Sequence, residues 1–212
     1  MGTGYFRNVG NTQRMGTELG LNGKLGNKLS WYGNYSYVRA TFETSQNISS
    51  AGHSSNPFEC DGAIAGATAN DQDTCESSEG YQIGVGPGDA IPGLSPHVTR
   101  IGIGYAPTES FSMALDTEYN SNQFYRGDEN NHHGKKVPGY FLLNASAEFK
   151  LPLKANSPFS TVFFLDGRNL LDTNFETGGI VAENEVEGTG GSGTFVTPGQ
   201  PLSIMGGMHI RW

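Results

Sequence analysis

The chain has no run of about 18 apolar residues, the length a transmembrane helix needs, so a helical membrane span is excluded. Basic residues are scarce: 13 Lys and Arg stand against 21 Asp and Glu, and the formal net charge is −8. Nucleic-acid binding needs a basic face, and this balance argues against it. The first residues show no charged segment followed by an apolar one, so no signal peptide is predicted.

Cysteine is nearly absent, and the two that occur, Cys60 and Cys75, lie close together in the sequence. A cysteine pair within one loop of an exported protein is most simply a disulfide. A redox or zinc pair is less favoured, because the sequence has no C-x-x-C and no paired histidine spacing. We therefore predict a Cys60–Cys75 disulfide.

Arrangements for catalysis or metal binding are also missing. No Ser/His/Asp or Cys/His arrangement stands out, so we predict no enzyme and no cofactor. Asp71-Gln72-Asp73 begins like a calcium loop but lacks the glycine and glutamate that complete one. His132 and His133 are adjacent, so their side chains diverge in an extended segment, and Arg126-Gly127-Asp128 is a chance-level adhesion tripeptide. We predict no metal site, and no ligand-binding residue is identified.

Glycine and aromatic residues are abundant, with 31 glycines and 11% aromatics. In the last residues, side chains alternate between apolar in one register and small or polar in the other. An outer-membrane β-barrel needs lipid-facing apolar residues and an aromatic residue at the strand end. The terminal strand therefore predicts a barrel strand of the kind that barrel-assembly machinery reads, carried by Ile204, Met208, Ile210 and Trp212.

Seven strands are predicted along the chain, at residues 12–25, 29–43, 97–105, 111–125, 139–151, 159–170 and 199–212. Short connections alternate with long ones: 26–28, 106–110 and 152–158 against 44–96, 126–138 and 171–198. This asymmetry is typical of outer-membrane barrels, with short periplasmic turns and long extracellular loops. We therefore predict an all-β fold, an antiparallel transmembrane β-barrel segment of about seven long strands.

The period of two also predicts which side chains face lipid. Strands 111–125, 139–151 and 199–212 alternate cleanly, and they place on the lipid face Leu115, Leu143, Phe149, Ile204 and Ile210. Strand 29–43 has aromatics in both registers, so its orientation stays open. Polar positions such as Asp116 and Asn144 are expected on the lumen face.

Acidic residues concentrate in two of the long connections. Twelve of the 21 lie in 44–96 or 171–198, and neither stretch contains Lys or Arg. Two interpretations stay open. The acidic residues could simply provide solubility, or they could surround a pore entrance whose negative electrostatic field concentrates a cationic or metal-chelating ligand.

Several segments, in order along the chain, resemble motifs of TonB-dependent outer-membrane receptors. They are Asn8-Val9-Gly10 with Arg14, Gly16 and Glu18; Ile91-Pro92-Gly93; Val137-Pro138-Gly139-Tyr140; Asn169, Leu170 and Asp172; and Pro198-Gly199-Gln200-Pro201. Leu171 and Phe175 depart from the family's pattern. The resemblance covers residues 1–212 as the C-terminal part of such a receptor's barrel.

The resemblance implies a 22-stranded barrel in the outer membrane of a Gram-negative bacterium, closed by an N-terminal plug that contacts the inner-membrane TonB complex. Energy-coupled uptake of a scarce small ligand, such as a ferric siderophore, haem or cobalamin, would be the function. An outer-membrane protein must be exported, and no signal peptide is predicted here, so we expect that Met1 is not the natural start. The alternative is a small outer-membrane barrel or adhesin acting as a structural or binding module.

Overall fold

The computed structural model of the chain describes residues 10–49, 53, 76–77, 80–153, 159–184 and 191–212. Cys60, Cys75 and the Asp71–Asp73 segment lie outside the described residues. Within these ranges no helix has the length and hydropathy to cross a membrane. The strands are β1 Thr12–Leu25, β2 Leu29–Phe42, β3 Gln46–Ser49, β4 Glu76–Ser77, β5 Gly80–Val85, β6 His97–Thr108, β7 Phe111–Asn120, β8 Gln123–Phe124, β9 Lys136–Val137, β10 Tyr140–Lys150, β11 Ser160–Arg168, β12 Glu176–Asn184, β13 Gly191–Pro198 and β14 Ser203–Arg211.

Seven long strands form one antiparallel sheet in the order β1-β2-β6-β7-β10-β11-β14, here called the wall. Each wall strand pairs with the wall strand before it in the sequence, so the chain runs up and down through adjacent positions. The predicted all-β fold with seven long strands is confirmed. β1 and β14 are the two ends of the sheet and do not pair with each other.

Three predicted strand ends differ from the structure by three residues or more. β6 continues to Thr108 rather than ending at residue 105, across a register irregularity between Tyr105 and Thr108. β7 stops at Asn120 rather than at residue 125, because Gln123 and Phe124 pair with Lys136 and Val137 in a separate hairpin. β14 begins at Ser203 rather than at residue 199. Pro201 has no N–H to donate to a ladder, which accounts for the later start.

The register of the wall fixes its two faces, because residues directly opposite each other share a face. Trp31, Ile103, Leu115 and Ala145 form one cross-strand row, and the row continues through Gly167 to Ile204. Leu143, Phe149 and Ile210 lie on this same face. The lipid-face residues predicted from the sequence thus share one side of the wall.

The register also settles the orientation of β2, which its aromatic residues left open. Trp31 pairs with Ile103 and Tyr35 pairs with Thr99, so Trp31, Tyr35 and Tyr37 lie on the lipid face. Tyr32 pairs with Gly102 and lies on the opposite face. Aromatic residues occur in both registers because Tyr32 fills the space that Gly102 leaves on the inner face.

The inner face of the wall is polar. Arg100 and Glu118 face each other in the register and form an ion pair at 3.3 Å. Asn144 donates to the Asp116 carboxylate at 3.2 Å. The predicted lumen-face positions Asp116 and Asn144 therefore contact each other across adjacent strands.

The buried apolar residues lie at the extracellular end of β2 and in the connections beyond the wall, rather than across the rest of the sheet. Phe42, Ile83 and Val85 form one cluster, and Tyr125, Val137 and Val181 form a second. A sheet whose outer face meets lipid and whose inner face meets water or protein needs no core between layers. The core of the described chain is instead made by the extracellular connections together with the end of β2.

We expect Leu115→Arg to reduce membrane-inserted yield strongly, because arginine facing lipid near the bilayer midplane costs about 2–4 kcal/mol. The matched control is Ala114→Arg in the same strand, whose side chain lies on the inner face. Heat-modifiable migration of the complete receptor measures the inserted fraction. A greater loss for the Ala114 variant would contradict the assignment of the faces.

Candidate functional site: the extracellular loop assembly

Three long connections meet at the extracellular end of the wall, and their described parts are here called the loop assembly. The first spans 43–96 and carries β3, β4 and β5. The second spans 121–139 with β8 and β9, and the third spans 169–202 with β12 and β13. The sequence predicts these segments only as long connections, whereas their described parts contain short antiparallel hairpins.

The first connection folds back on the end of β2. Phe42 is 6% exposed and packs with Ile83 and Val85, and Ile91 and Ile48 border the cluster. The backbone from Gly86 to Pro96 then runs beside β2, with N–H groups of Phe42 and Ile91 donating across the pair. This apolar cluster fixes the first connection against the inner side of the wall.

The second and third connections are joined by backbone hydrogen bonds. The Arg126 N–H donates to the Gly179 carbonyl at 3.0 Å, and the Val181 N–H donates to the Arg126 carbonyl at 2.8 Å. Beneath them, Tyr125 donates its hydroxyl to the Glu176 carboxylate at 3.3 Å. Burial and the neighbouring Glu176 raise the pKa of Tyr125, so the phenol keeps the proton that it donates.

A histidine and an aspartate tie the first connection to the second. His53 Nε2 lies 3.1 Å from Asp128 Oδ1, and their side chains are 2% and 0% exposed. Asp128 Oδ1 also accepts the His133 N–H at 3.0 Å, whereas its Oδ2 has no partner among the described residues. A carboxylate buried this completely is stable only with such donors, so this contact holds the two connections together.

Burial shifts two titratable groups beside this contact. It raises the pKa of Glu129, against the lowering effect of hydrogen bonding from the Gly127 N–H. It lowers the pKa of His133, while the Asp128 carboxylate acts in the opposite direction. Both shifts favour the uncharged side chain inside the loop assembly.

Asn131 provides a further link between the first two connections. Its Oδ1 accepts the Ala90 N–H at 2.6 Å, and its Nδ2 donates to the Ala90 carbonyl at 3.0 Å. The side-chain amide thus pairs with a backbone peptide as a neighbouring strand would. Asn131 has a φ of 62°, a conformation that asparagine tolerates better than most residues.

Asn169, from the predicted motif of Asn169, Leu170 and Asp172, lies at the junction between the wall and the third connection. It is 1% exposed, and its backbone N–H donates to Asn144 Oδ1 at 3.0 Å. Its side chain accepts the Thr173 N–H and donates to the carbonyls of Thr173 and Gln200, at 2.9–3.0 Å. Through its backbone N–H and its side-chain amide, Asn169 therefore joins the end of β11 to β10 and to the segment that leads into β14.

The neighbouring motif residues make further hydrogen bonds at this junction. The Leu170 N–H donates to the Leu143 carbonyl at 2.8 Å, and Asp172 accepts the Leu202 N–H at 3.3 Å. Asn169 and Asp172 both have positive φ, at 50° and 49°. The motif requires Asn and Asp at these positions because both residues tolerate this backbone and can bond backbone groups.

The other motif, Arg14, Gly16 and Glu18, lies on the inner face of β1. A Cβ at position 16 would meet the Tyr37 carbonyl oxygen of β2, so glycine allows the two backbones to approach closely. Arg14 and Glu18 flank this glycine and are exposed. Their position is inside the wall, on the side opposite lipid.

The structure places three of the four predicted C-terminal signal residues on one face of β14. Ile204, Met208 and Ile210 follow the lipid face of β14, and Trp212 comes one residue after the strand ends. All four are exposed, Trp212 at 90%. Ile204, Met208 and Ile210 thus give β14, the last strand of the wall, an apolar outer face.

Other sequence candidates have different surroundings. In Arg126-Gly127-Asp128 the aspartate is buried in the contact with His53, so this tripeptide is not presented as an adhesion motif. His132 and His133 differ in environment: His132 is exposed, and the His133 ring packs edge-on to those of His53 and Tyr125. Across the ranges that the structure describes, no group of three His, Cys, Asp or Glu is arranged to hold a metal ion.

Residues 1–170 match a family model described as TonB dependent receptor-like, beta-barrel. The chain belongs to the TonB-dependent receptor family. These receptors reside in the outer membrane, and their family and fold are those of transport receptors. No curated protein matches the chain.

Solved TonB-dependent receptors share the fold of the wall and loop assembly. The siderophore receptor PiuA from Acinetobacter baumannii aligns over 96% of the chain, with a TM-score of 0.59 and 16% identity. The ferric citrate transporter FecA aligns over 94% with a TM-score of 0.56 and 16% identity. The ferric yersiniabactin uptake receptor FyuA from Yersinia pestis aligns over 94% with a TM-score of 0.54 and 14% identity. The chain spans 22%, 24% and 23% of these receptors, respectively.

The sequence indicates the receptor family, but it does not indicate the residues that join the loops. Asp128 belongs only to a chance-level tripeptide, and no motif includes His53 or Asn131. Asn131 sits in a polar run, Asn130-Asn131-His132-His133, which gives a turn signal but no indication of its partner. His53 and Asp128 are 75 residues apart, so no local pattern connects them.

We expect Asn169→Asp to lower the unfolding temperature of the receptor. The carboxylate keeps the acceptor for the Thr173 N–H, but it loses the donors to Thr173 and Gln200 and places a charge in a buried site. Leaving buried groups unsatisfied costs about 1–3 kcal/mol each. Heat-modifiable migration over a temperature series measures the effect, and Asn174→Asp at an exposed neighbouring position is the control. Equal effects of the two substitutions would contradict the conclusion that the Asn169 hydrogen bonds stabilise this junction.

We expect the loop assembly to lose protection as pH falls through the lowered pKa of His133. The folded state favours neutral His133, so its contribution is present above the ordinary pKa of 6.5 and is lost on protonation. Hydrogen exchange of peptides from 121–139, corrected for the intrinsic effect of pH, measures this loss. His133→Gln should weaken the pH dependence, whereas His132→Gln should keep it. Unchanged pH dependence in the His133 variant would exclude this residue as its source.

Proposed function

We propose that the protein containing this chain imports a scarce small ligand, of the ferric siderophore class, across the outer membrane with energy from TonB. Membership of the TonB-dependent receptor family is the observation that carries this proposal. The named structural neighbours, a siderophore receptor, a ferric citrate transporter and a ferric yersiniabactin receptor, support iron chelates as the ligand class. Haem and cobalamin remain alternative ligands to be compared in the same assay.

The geometry supports a receptor rather than a small self-closed barrel. β1 and β14 end the wall without pairing to each other, and unpaired backbone groups in hydrocarbon cost several kcal/mol each. Further strands of the receptor would pair with both edges and complete the barrel. A plug would then face the polar inner surface that contains Arg100, Glu118, Asp116 and Asn144.

The loop assembly would form part of the ligand entrance. Its connections are joined by the His53–Asp128 contact, the Asn131 amide and the backbone bonds of Arg126. Because these loops are joined before a ligand arrives, less conformational entropy is lost when the ligand binds between them. We also propose that the Cys60–Cys75 disulfide adds a covalent restraint to the first connection, as the cysteine spacing favours.

We expect the complete receptor to support growth on at least one ferric chelate as sole iron source, in a strain lacking its own chelate receptors. The growth should disappear when TonB is absent, because transport is coupled to that complex. Heat-modifiable migration in the same cells establishes that the receptor is folded. A folded receptor without TonB-dependent growth on ferric chelates would overturn the ferric chelate assignment. Parallel growth on haem or cobalamin would identify the other ligand class.

A further inference from the structure

The second and third connections enclose a cleft of about 460 Å³ at the extracellular end of the wall. Phe124 and Arg126 of the second connection form one side, and Ile180 and Phe195 of the β12–β13 hairpin form the other. Proteins bind small molecules in clefts of roughly 300–1,000 Å³, so this volume is sufficient for a ligand. The residues that line the cleft therefore indicate which kind of small molecule fits it.

The register of the second connection places the cleft on the lumen side of the wall. Asn120 pairs with Tyr140 on the inner face, and Phe124 pairs with Lys136 in the same register, four residues further along each segment. Residues an even number of positions apart share a face, so Phe124 and Lys136 continue the inner face. Arg126 follows Phe124 by two residues, and the residue between them is buried on the opposite side.

Two cations flank Phe124 on this side. Arg126 lines the cleft, and the Lys136 Nζ lies 3.9 Å from the centre of the Phe124 ring. Both cationic residues are exposed, and neither forms an ion pair with another of the described residues. The described lining of the cleft contains no Asp or Glu, although the chain has a formal net charge of −8. The local field therefore favours an anionic ligand.

The backbone around Arg126 holds its guanidinium group at the cleft. The Arg126 N–H donates to the Gly179 carbonyl, and its own carbonyl accepts the Val181 N–H. Gly93 lies beside the side chain with a φ of 75°, and a Cβ at this position would lie 3.2 Å from Arg126 Nε. Glycine both adopts this backbone and leaves room for the guanidinium group. The planar group can therefore present its parallel N–H donors to a pair of anionic oxygens.

The other side of the cleft is apolar. Ile180 and Phe195 lie opposite each other in the hairpin register, and they are 46% and 50% exposed. Phe124 supplies a second aromatic ring across the cleft. Aromatic side chains attract other aromatic rings by offset stacking or edge contacts. A ligand that satisfies both sides of the cleft carries anionic oxygens for Arg126 and an aryl group for the two phenyl rings.

We propose that Arg126, Phe124 and Phe195 bind an anionic aryl chelate of iron, in which the metal-bound oxygens belong to an aromatic ring, as in catecholate and phenolate complexes. This inference rests on the proposed uptake of ferric chelates and names the ligand class. The guanidinium group binds the anionic oxygens, and the phenyl rings contact the aryl groups. A hydroxamate chelate without net charge lacks the first interaction, and a citrate chelate lacks the second.

The test measures binding of radioiron complexes to cells that carry the complete receptor but lack TonB and their own chelate receptors, so that binding is separated from transport. The probes are ferric 2,3-dihydroxybenzoate, which is anionic and aromatic, ferric citrate, which is anionic without an aryl group, and ferric acetohydroxamate, which has no net charge. We expect the dihydroxybenzoate complex to bind roughly tenfold more tightly than either of the others, because only this complex makes both interactions.

Two variants test the two sides of the cleft. Arg126→Gln keeps both backbone hydrogen bonds of this residue and should weaken binding of the dihydroxybenzoate complex roughly tenfold, because a charged hydrogen-bond donor is lost. Phe195→Leu keeps an apolar side chain but loses the ring, and it should weaken binding about threefold. The matched control is Arg39→Gln, which removes an arginine from the lipid-facing side of β2 and should bind like the unaltered receptor. Heat-modifiable migration establishes that each variant is folded.

Equal binding of the three complexes would overturn the assigned ligand class. A folded Arg126→Gln variant that binds like the unaltered receptor, or an equal loss in Arg39→Gln, would overturn the site. Growth on the dihydroxybenzoate complex is scored separately in cells with TonB. Binding that depends on Arg126 without such growth would contradict the transport proposal and support the site, whereas growth unaffected by Arg126→Gln would do the reverse. Binding of none of the complexes would overturn both proposals.

Discussion

The structure depends on the requirement that every backbone N–H and C=O inside a membrane has a partner. The wall satisfies this requirement by continuous antiparallel pairing, for example over all residues of β1 from Thr12 to Leu25. Once the pairing is fixed, the alternation of side chains along each strand determines which residues face lipid and which face the lumen. A shift by one residue would move Leu115 and its whole row to the inner face. The register is therefore the source of both the apolar outer surface and the polar inner surface.

Because of this constraint, the buried apolar residues of the chain lie in the connections and at the end of β2 rather than within the sheet. Lipid covers the outer face of the wall, so residues such as Leu115, Ile204 and Met208 are exposed in the chain taken alone. Above the membrane no lipid is available, and apolar side chains there must bury one another. Phe42 with Val85, and Tyr125 with Val181, do so in two small clusters. Each cluster is small, which explains why the connections also rely on the buried contact between His53 and Asp128.

The sequence predicts the wall well because its signal is local and repeated. Period-two alternation locates the seven long strands, and the connection lengths sort the loops by side. β2 is the exception, since Trp31 and Tyr32 are adjacent aromatics and only pairing with β6 separates their faces. The hairpins of the loop assembly were not predicted because their strands are short and glycine-rich, such as β12 and β13. The contact of His53 with Asp128 is specified by tertiary packing alone.

The extracellular rim shows how the backbone requirement is met where strand pairing ends. In the wall, neighbouring strands supply each partner, but the chain must turn away at the rim and leave peptide groups behind. Side-chain amides and carboxylates supply the hydrogen bonds there. Asn131 bonds both the N–H and the carbonyl of Ala90, and Asn169 bonds the Thr173 N–H and the Gln200 carbonyl.

In the described part of the chain, the non-glycine residues with positive φ are Asn131, Asn169 and Asp172, and all three make such bonds. A residue at these points must both tolerate a left-handed backbone and imitate a peptide group, and Asn and Asp combine these properties. The Asn169-Leu170-Asp172 motif is therefore explained by the geometry of leaving a membrane sheet. A motif that resembles one of the receptor family thus has a structural role at the rim, independent of which ligand the receptor carries.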